Sequence, residues 1–195
     1  PKPNWTKGEI IMSEPSTLFG QIHIKKDQLQ LFLESPAKNV TDFTDWIEWL
    51  NQEKKTAGNP SDFIRNFATN NSGLAQKNLG TEHFRYDEKD EILTWDNLYL
   101  SESYEVFLNV VACWRGIERY IIPESTNNFL IIYPFWWGDN STSLTPEVNI
   151  YLELSNNQSK LLNLVDPENL KIAHSFLTKH GDSLAHEYYE KYGRI

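Results

Sequence analysis

Cysteine is almost missing: Cys113 stands alone, so no disulfide can form within the chain. Oxidising compartments favour disulfides in small domains, and this scarcity points to reducing, cytoplasmic surroundings. Glycine is nearly as scarce, with nine residues and no cluster. Gly-rich phosphate cradles and the Gly-x-Ser-x-Gly nucleophile elbow are therefore absent. Neither a His-Glu-x-x-His pair nor a Cys-x-x-Cys pair occurs, so no motif announces a metal, and no cofactor is expected. No apolar run approaches the ~20 residues that cross a bilayer, and no charged-then-apolar leader opens the chain. The longest apolar run, Phe129 to Trp137, is interrupted by Pro134.

What is present is enough to fold. Of 195 residues, 39% are apolar and 13% aromatic, which suits one domain with a substantial core. The net charge is −9, a field that repels phosphate backbones and anionic lipid heads. Nucleic acid and membrane are thus poor partners, whereas a basic protein would be drawn in. Five Asn-x-Ser/Thr sequons occur, at Asn4, Asn39, Asn70, Asn140 and Asn157, which an Asn- and Ser-rich composition accounts for.

Periodicity predicts strands at 8–12 and 19–24, the second with Ile22 and Ile24 on one face. A helix from Asp27 to Glu34 is stopped by Pro36. Thr41 is a suitable cap for an amphipathic helix to about Lys55, with Phe43, Trp46, Ile47 and Leu50 as its stripe. Ser61 caps a short helix, and 70–80 has loop composition. Residues 82–86 and 91–100 form an antiparallel pair around an Asp87–Asp90 turn. On the returning strand, Ile92, Thr94, Asp96, Leu98 and Leu100 share a face.

The stretch from Tyr104 to Ile122 steps by three and four, which favours helix, although its Val and aromatic content also suits strands. Phe129–Tyr133 is a central strand, 148–154 the next, and 161–165 a further candidate. Asp166-Pro167-Glu168 starts a helix that pauses at Gly181, resumes at Asp182 and ends at Gly193. This order lacks regular βαβ alternation. The fold class is α+β: a single domain, 1–195, with a mostly antiparallel sheet packed against several helices and a C-terminal helical segment.

Few residues offer chemistry. His174, His180 and His186 are six apart, which leaves them about 120° apart around a helix and unable to share one ligand face. Cys113 lies in an apolar run and reads as an inert buried thiol. Arg115 and Glu118, three apart beside Trp114, suit an exposed helical ion pair better than an acid–base site. Trp136 and Trp137, followed by Asp139, are the most unusual string. On extended backbone adjacent Trp side chains point opposite ways, so both are sandwiched between layers, or one is exposed to anchor a partner or stack on a sugar.

The strongest charge signal is Glu82 to Glu105, where eight acids oppose Arg85 and Lys89, giving −6 of the total −9. Its Asp87, Glu88, Asp90, Glu91 and Asp96 lack the order and central glycine of an EF-hand. They constitute either a solvated hairpin tip or an acidic docking face.

In this acidic stretch and the Tyr133–Asp139 aromatic string, the chain resembles the immunity proteins that bacteria pair with secreted antibacterial toxins. The resemblance implies a non-enzymatic protein that occludes the active site of a cognate, basic toxin. Asp87, Glu88, Asp90, Glu91, Asp96, Trp136, Trp137 and Asp139 would then form the contact face. Two other readings stay open: an acidic anti-defence protein mimicking nucleic acid, and a carbohydrate-active enzyme with a dispersed site. The second would need two carboxylates facing each other across a cleft.

Overall fold

The computed structural model describes residues 16–53, 59–67, 71–101, 103–133 and 148–192. These form one six-stranded antiparallel sheet with helices on both faces, so the α+β expectation holds. The strands are β1 (Ser16–His23), β2 (Phe84–Asp87), β3 (Ile92–Ser101), β4 (Asn128–Tyr133), β5 (Ile150–Ser155) and β6 (Gln158–Leu162). Their spatial order is β2-β3-β1-β4-β5-β6. The helices are α1 (Lys26–Leu33), α2 (Asp45–Glu53), α3 (Pro60–Phe67), α4 (Ala75–Leu79), α5 (Tyr104–Arg115) and α6 (Pro167–Tyr192).

Strand alternation sorts the core into two layers. Leu18 and Ile22 of β1, Leu93 and Trp95 of β3, Leu130 and Ile132 of β4, and Leu152 of β5 face α1, α2, α4 and α5. Phe19, Phe129, Ile131, Tyr133 and Tyr151 face the other way, onto Ala173 and Leu177 of α6. Because both faces are covered, β4 is buried at every position and, after Asn128, reads as an unbroken apolar run. Each large side chain fully buried here stabilises the fold by roughly 1.5–3 kcal/mol. Gly20 sits where β1 meets β4; a Cβ there would lie 2.9 Å from Leu130 Cδ1.

Several expectations are corrected. The helix after residue 40 does not start at Thr41. Val40–Asp42 is a 3-10 turn closed by Asn39 and Asp42, and α2 begins at Asp45. That later start rotates the stripe to Trp46, Trp49 and Leu50, and leaves Ile47 exposed. The cap of α3 is Asn59, whose Oδ1 accepts from Ser61 N at 2.9 Å, with Pro60 as first helical residue. Within the expected 70–80 loop lies α4, ended by Gly80 at φ +59°. The 161–165 candidate strand is β6, three residues earlier. Leu98 and Leu100 do not share a face, because a register shift between β1 and β3 turns Leu98 toward α6 and Leu100 toward the helical layer. α6 runs unbroken for 26 residues through Gly181.

Residues 104–122 are α5 followed by a 3-10 segment, Gly116–Tyr120. Ser103 caps α5, its Oγ accepting from Glu105 N. The expected strand at 8–12 and the Tyr133–Asp139 string beyond Tyr133 lie outside the described residues. No helix among those described is long and apolar enough to cross a membrane.

Candidate functional site

The acidic hairpin is built on an aromatic base. Phe84 of β2 lies 5.9 Å from Trp95 and 5.7 Å from Trp114, and the two Trp rings are 4.8 Å apart. Such contacts add about 0.5–1.5 kcal/mol each beyond burial, and here they tie β2 and β3 to α5. At the other end of the hairpin, Asp87 Oδ1 accepts from Lys89 N at 2.8 Å and Asp90 N at 3.2 Å, which closes the turn. Glu91 follows in the left-handed region, at φ +53°. Its carbonyl accepts from Ile24 N at 2.8 Å, and Tyr86 OH donates to Ile24 O at 3.0 Å. The tip is therefore pinned to the end of β1 and the start of α1.

Asp87, Glu88 and Asp90 are exposed on this tip, and Glu91 is half-buried. Glu88 pairs with Lys26 of α1, and that hydrogen bond and charge hold the Lys26 ammonium above its ordinary range. One of the four carboxylates is thus partly neutralised at home.

Asp96 does not belong with them. It sits mid-strand at 2% exposure on the α6 side of the sheet. Its Oδ1 is 3.3 Å from Arg85 Nε but accepts no hydrogen bond among the described residues. Burial pushes its carboxyl up to about 6, against the pull of Arg85 and with a smaller push from Glu187 of α6. Inaccessible and weakly partnered, it cannot meet another molecule directly. Trp136, Trp137 and Asp139 lie outside the described residues.

Arg115 is also placed differently from expectation. It does not pair with Glu118; its guanidinium donates to both oxygens of Asp45, at 2.7 and 2.9 Å. It also donates to Ser159 Oγ at 2.9 Å and Ser159 O at 3.2 Å, and lies 3.9 Å over the Phe43 ring. At 4% side-chain exposure this is a staple joining α5, α2 and the edge strand β6, held by forked hydrogen bonds and ring stacking. Its partners are 70 and 44 positions away, so no local spacing signals it.

Cys113 is buried, with burial pushing its thiol up to about 12, well outside nucleophilic range. His180 rests on Phe176 at 4.6 Å, and His186 lies 3.3 Å from Glu190. Among the described residues no group of three or more His, Cys, Asp or Glu is placed to hold a metal.

The registers bring further residues to the end of the sheet that carries the hairpin tip. His23 pairs with Ile92, Gln21 with Phe129, Asn128 with Leu154, and Ser155 with Gln158. The 88–91 tip, the 122–127 loop and the 156–157 turn therefore share that end, and Asp166 and Asn169 at the start of α6 line a hollow with residues 125–128. Asn128, at 1% exposure, organises it. Its Oδ1 accepts from His23 N at 2.7 Å, and its Nδ2 donates to Ser125 O at 3.2 Å. Sequence reading passed over Asn128, Glu153 and Asn169. Strand alternation could have placed Glu153 beside Tyr151, but nothing local marks a buried Asn. The chain matches no family model, no curated protein and no solved structure.

Proposed function

We propose that this protein is a non-enzymatic binder of a basic protein, acting as an immunity protein that blocks the active site of a cognate antibacterial toxin. The observation that carries this reading is the hairpin tip. Three exposed carboxylates and a fourth half-buried one project from a turn whose backbone is fixed at both sides. A fixed array loses little conformational freedom on binding, and clustered charge speeds encounter with an opposite surface. The acids are concentrated at one tip rather than spread at phosphate-like intervals, which favours a protein cleft over a nucleic-acid-mimic role.

The test is affinity capture with the full chain from its native cells at low and high salt, read by mass spectrometry. The reading expects one basic protein, enriched at low salt and reduced at high salt, whose activity is lost on adding the chain. Absence of any basic partner at both salt concentrations contradicts it.

A further inference from the structure

α6 crosses the sheet obliquely. It starts over β5, where Asn169 Nδ2 donates to Tyr151 OH at 2.9 Å, and passes β1, where the Phe176 ring lies 5.0 Å from that of Phe19. Beyond that crossing it reaches β3. Gly181 divides the helix into two parts that are held unequally. Before the glycine, Ala173 and Leu177 are fully buried, with Leu170, Ile172 and Phe176 packed around them. After it, Leu184 at 7% exposure is the buried apolar side chain among the described residues. Glycine is a poor residue for a helix interior, so the chain opens there more readily than elsewhere.

Under the weakly anchored part lies a group ill suited to a closed interface. Asp96 is buried on β3, and its Oδ1 accepts no hydrogen bond among the described residues. Facing it among those residues are Arg85 of β2, 3.3 Å away and itself 41% exposed, and Glu187 of α6, which repels it. Its neighbour on β1, Phe19, brings no charge. Two histidines of α6 are engaged elsewhere: His180 rests on Phe176, and His186 lies 3.3 Å from Glu190. A buried carboxyl without a hydrogen-bond donor is accommodated best when protonated and neutral. Burial raises this one from 3.8 to about 6, so the closed interface holds the proton more tightly than water would allow. Ionisation therefore favours any motion that returns Asp96 to solvent. Closure is most stable below about 4 and weakens as pH rises through about 6.

We propose that the part of α6 beyond Gly181 is a pH-sensitive latch over Asp96, closed while that carboxyl is protonated and opening about the glycine when it is ionised. The part before Gly181 stays on the sheet, held by Ala173 and Leu177. This device does not depend on the partner proposed above.

The experiment is backbone hydrogen exchange of the full chain at pH 5.0 and 7.5, corrected for intrinsic exchange rates, with and without sub-denaturing urea. It compares the unaltered protein with Asp96→Asn and His180→Gln. Amides of residues 185–190 are expected to be less protected than those of 170–177 and to respond less to urea, as local opening requires. Their protection falls about tenfold from pH 5.0 to 7.5. Asp96→Asn abolishes the fall and His180→Gln keeps it, while protected amides at 170–177 show that both variants have folded. Five results each overturn the proposal. Residues 185–190 match the protection and urea response of 170–177, so that only global unfolding reaches them; they are unprotected already at pH 5.0; they show no fall with pH; the fall persists in Asp96→Asn; or it disappears in His180→Gln.

Discussion

Asp96 shows how far one side chain can depart from what its sequence context implies. Among eight acids it reads as surface charge, yet alternation places it under α6 at 2% exposure. Its folded carboxyl titrates near 6 and the ordinary one at 3.8, so the fold holds the proton more tightly between those values. The associated stabilisation is full below about 4 and lost as pH rises through about 6. Asp96→Asn should therefore raise stability at pH 7.5 by up to about 3 kcal/mol and by less at pH 4.5, read by urea unfolding at both. An equal loss at both pH values would mean that Asp96 acts as an ordinary stabilising ion pair. Arg115 is the opposite case, a charge the fold depends on. Arg115→Lys loses the fork and the stacking over Phe43, and should cost about 2 kcal/mol in the same assay. Both residues were misjudged from sequence because burial and distant partners, rather than neighbours, decide what a charge does.

Elements were legible in proportion to how locally they are determined. Asp166-Pro167-Glu168 announces α6, and its capping bonds form as the residue types require. The run 129–133 announces a central strand, and β4 has neighbours on both sides. The pause expected at Gly181 is overridden, because Ala173, Leu177 and Leu184 keep α6 on the sheet on both sides of the glycine. Leu177→Ala should cost about 2–5 kcal/mol, measured by thermal or urea unfolding, since it empties the centre of the layer under α6. The start of α2 was missed for a similar reason: burying Trp49 outweighs continuing from the Thr41 cap. At the sheet centre, Gly20→Ala sets a Cβ against Leu130, itself 1% exposed, and should destabilise by about 1–3 kcal/mol.

On the scale of the whole molecule, one end of the sheet gathers the acidic tip and the Asn128-organised loop, and the opposite end begins α5 near Glu105. Sequence revealed the acidic stretch but not this gathering, since antiparallel register alone brings residues 88–91, 122–127 and 156–157 together. Asp87 closes the turn, so the tip is best altered as Asp87→Asn with Glu88→Lys and Asp90→Lys, which keeps the turn bonds while reversing the charge. The most direct measurement is the association rate of the captured basic partner with this variant and with Glu105→Lys, at about 50 and 300 mM salt. Docking through the tip predicts a fall of about tenfold or more for the tip variant at low salt, a smaller difference at high salt, and little change for Glu105→Lys. Equal rates for the tip variant and the unaltered protein would contradict the claim that the hairpin is the docking face.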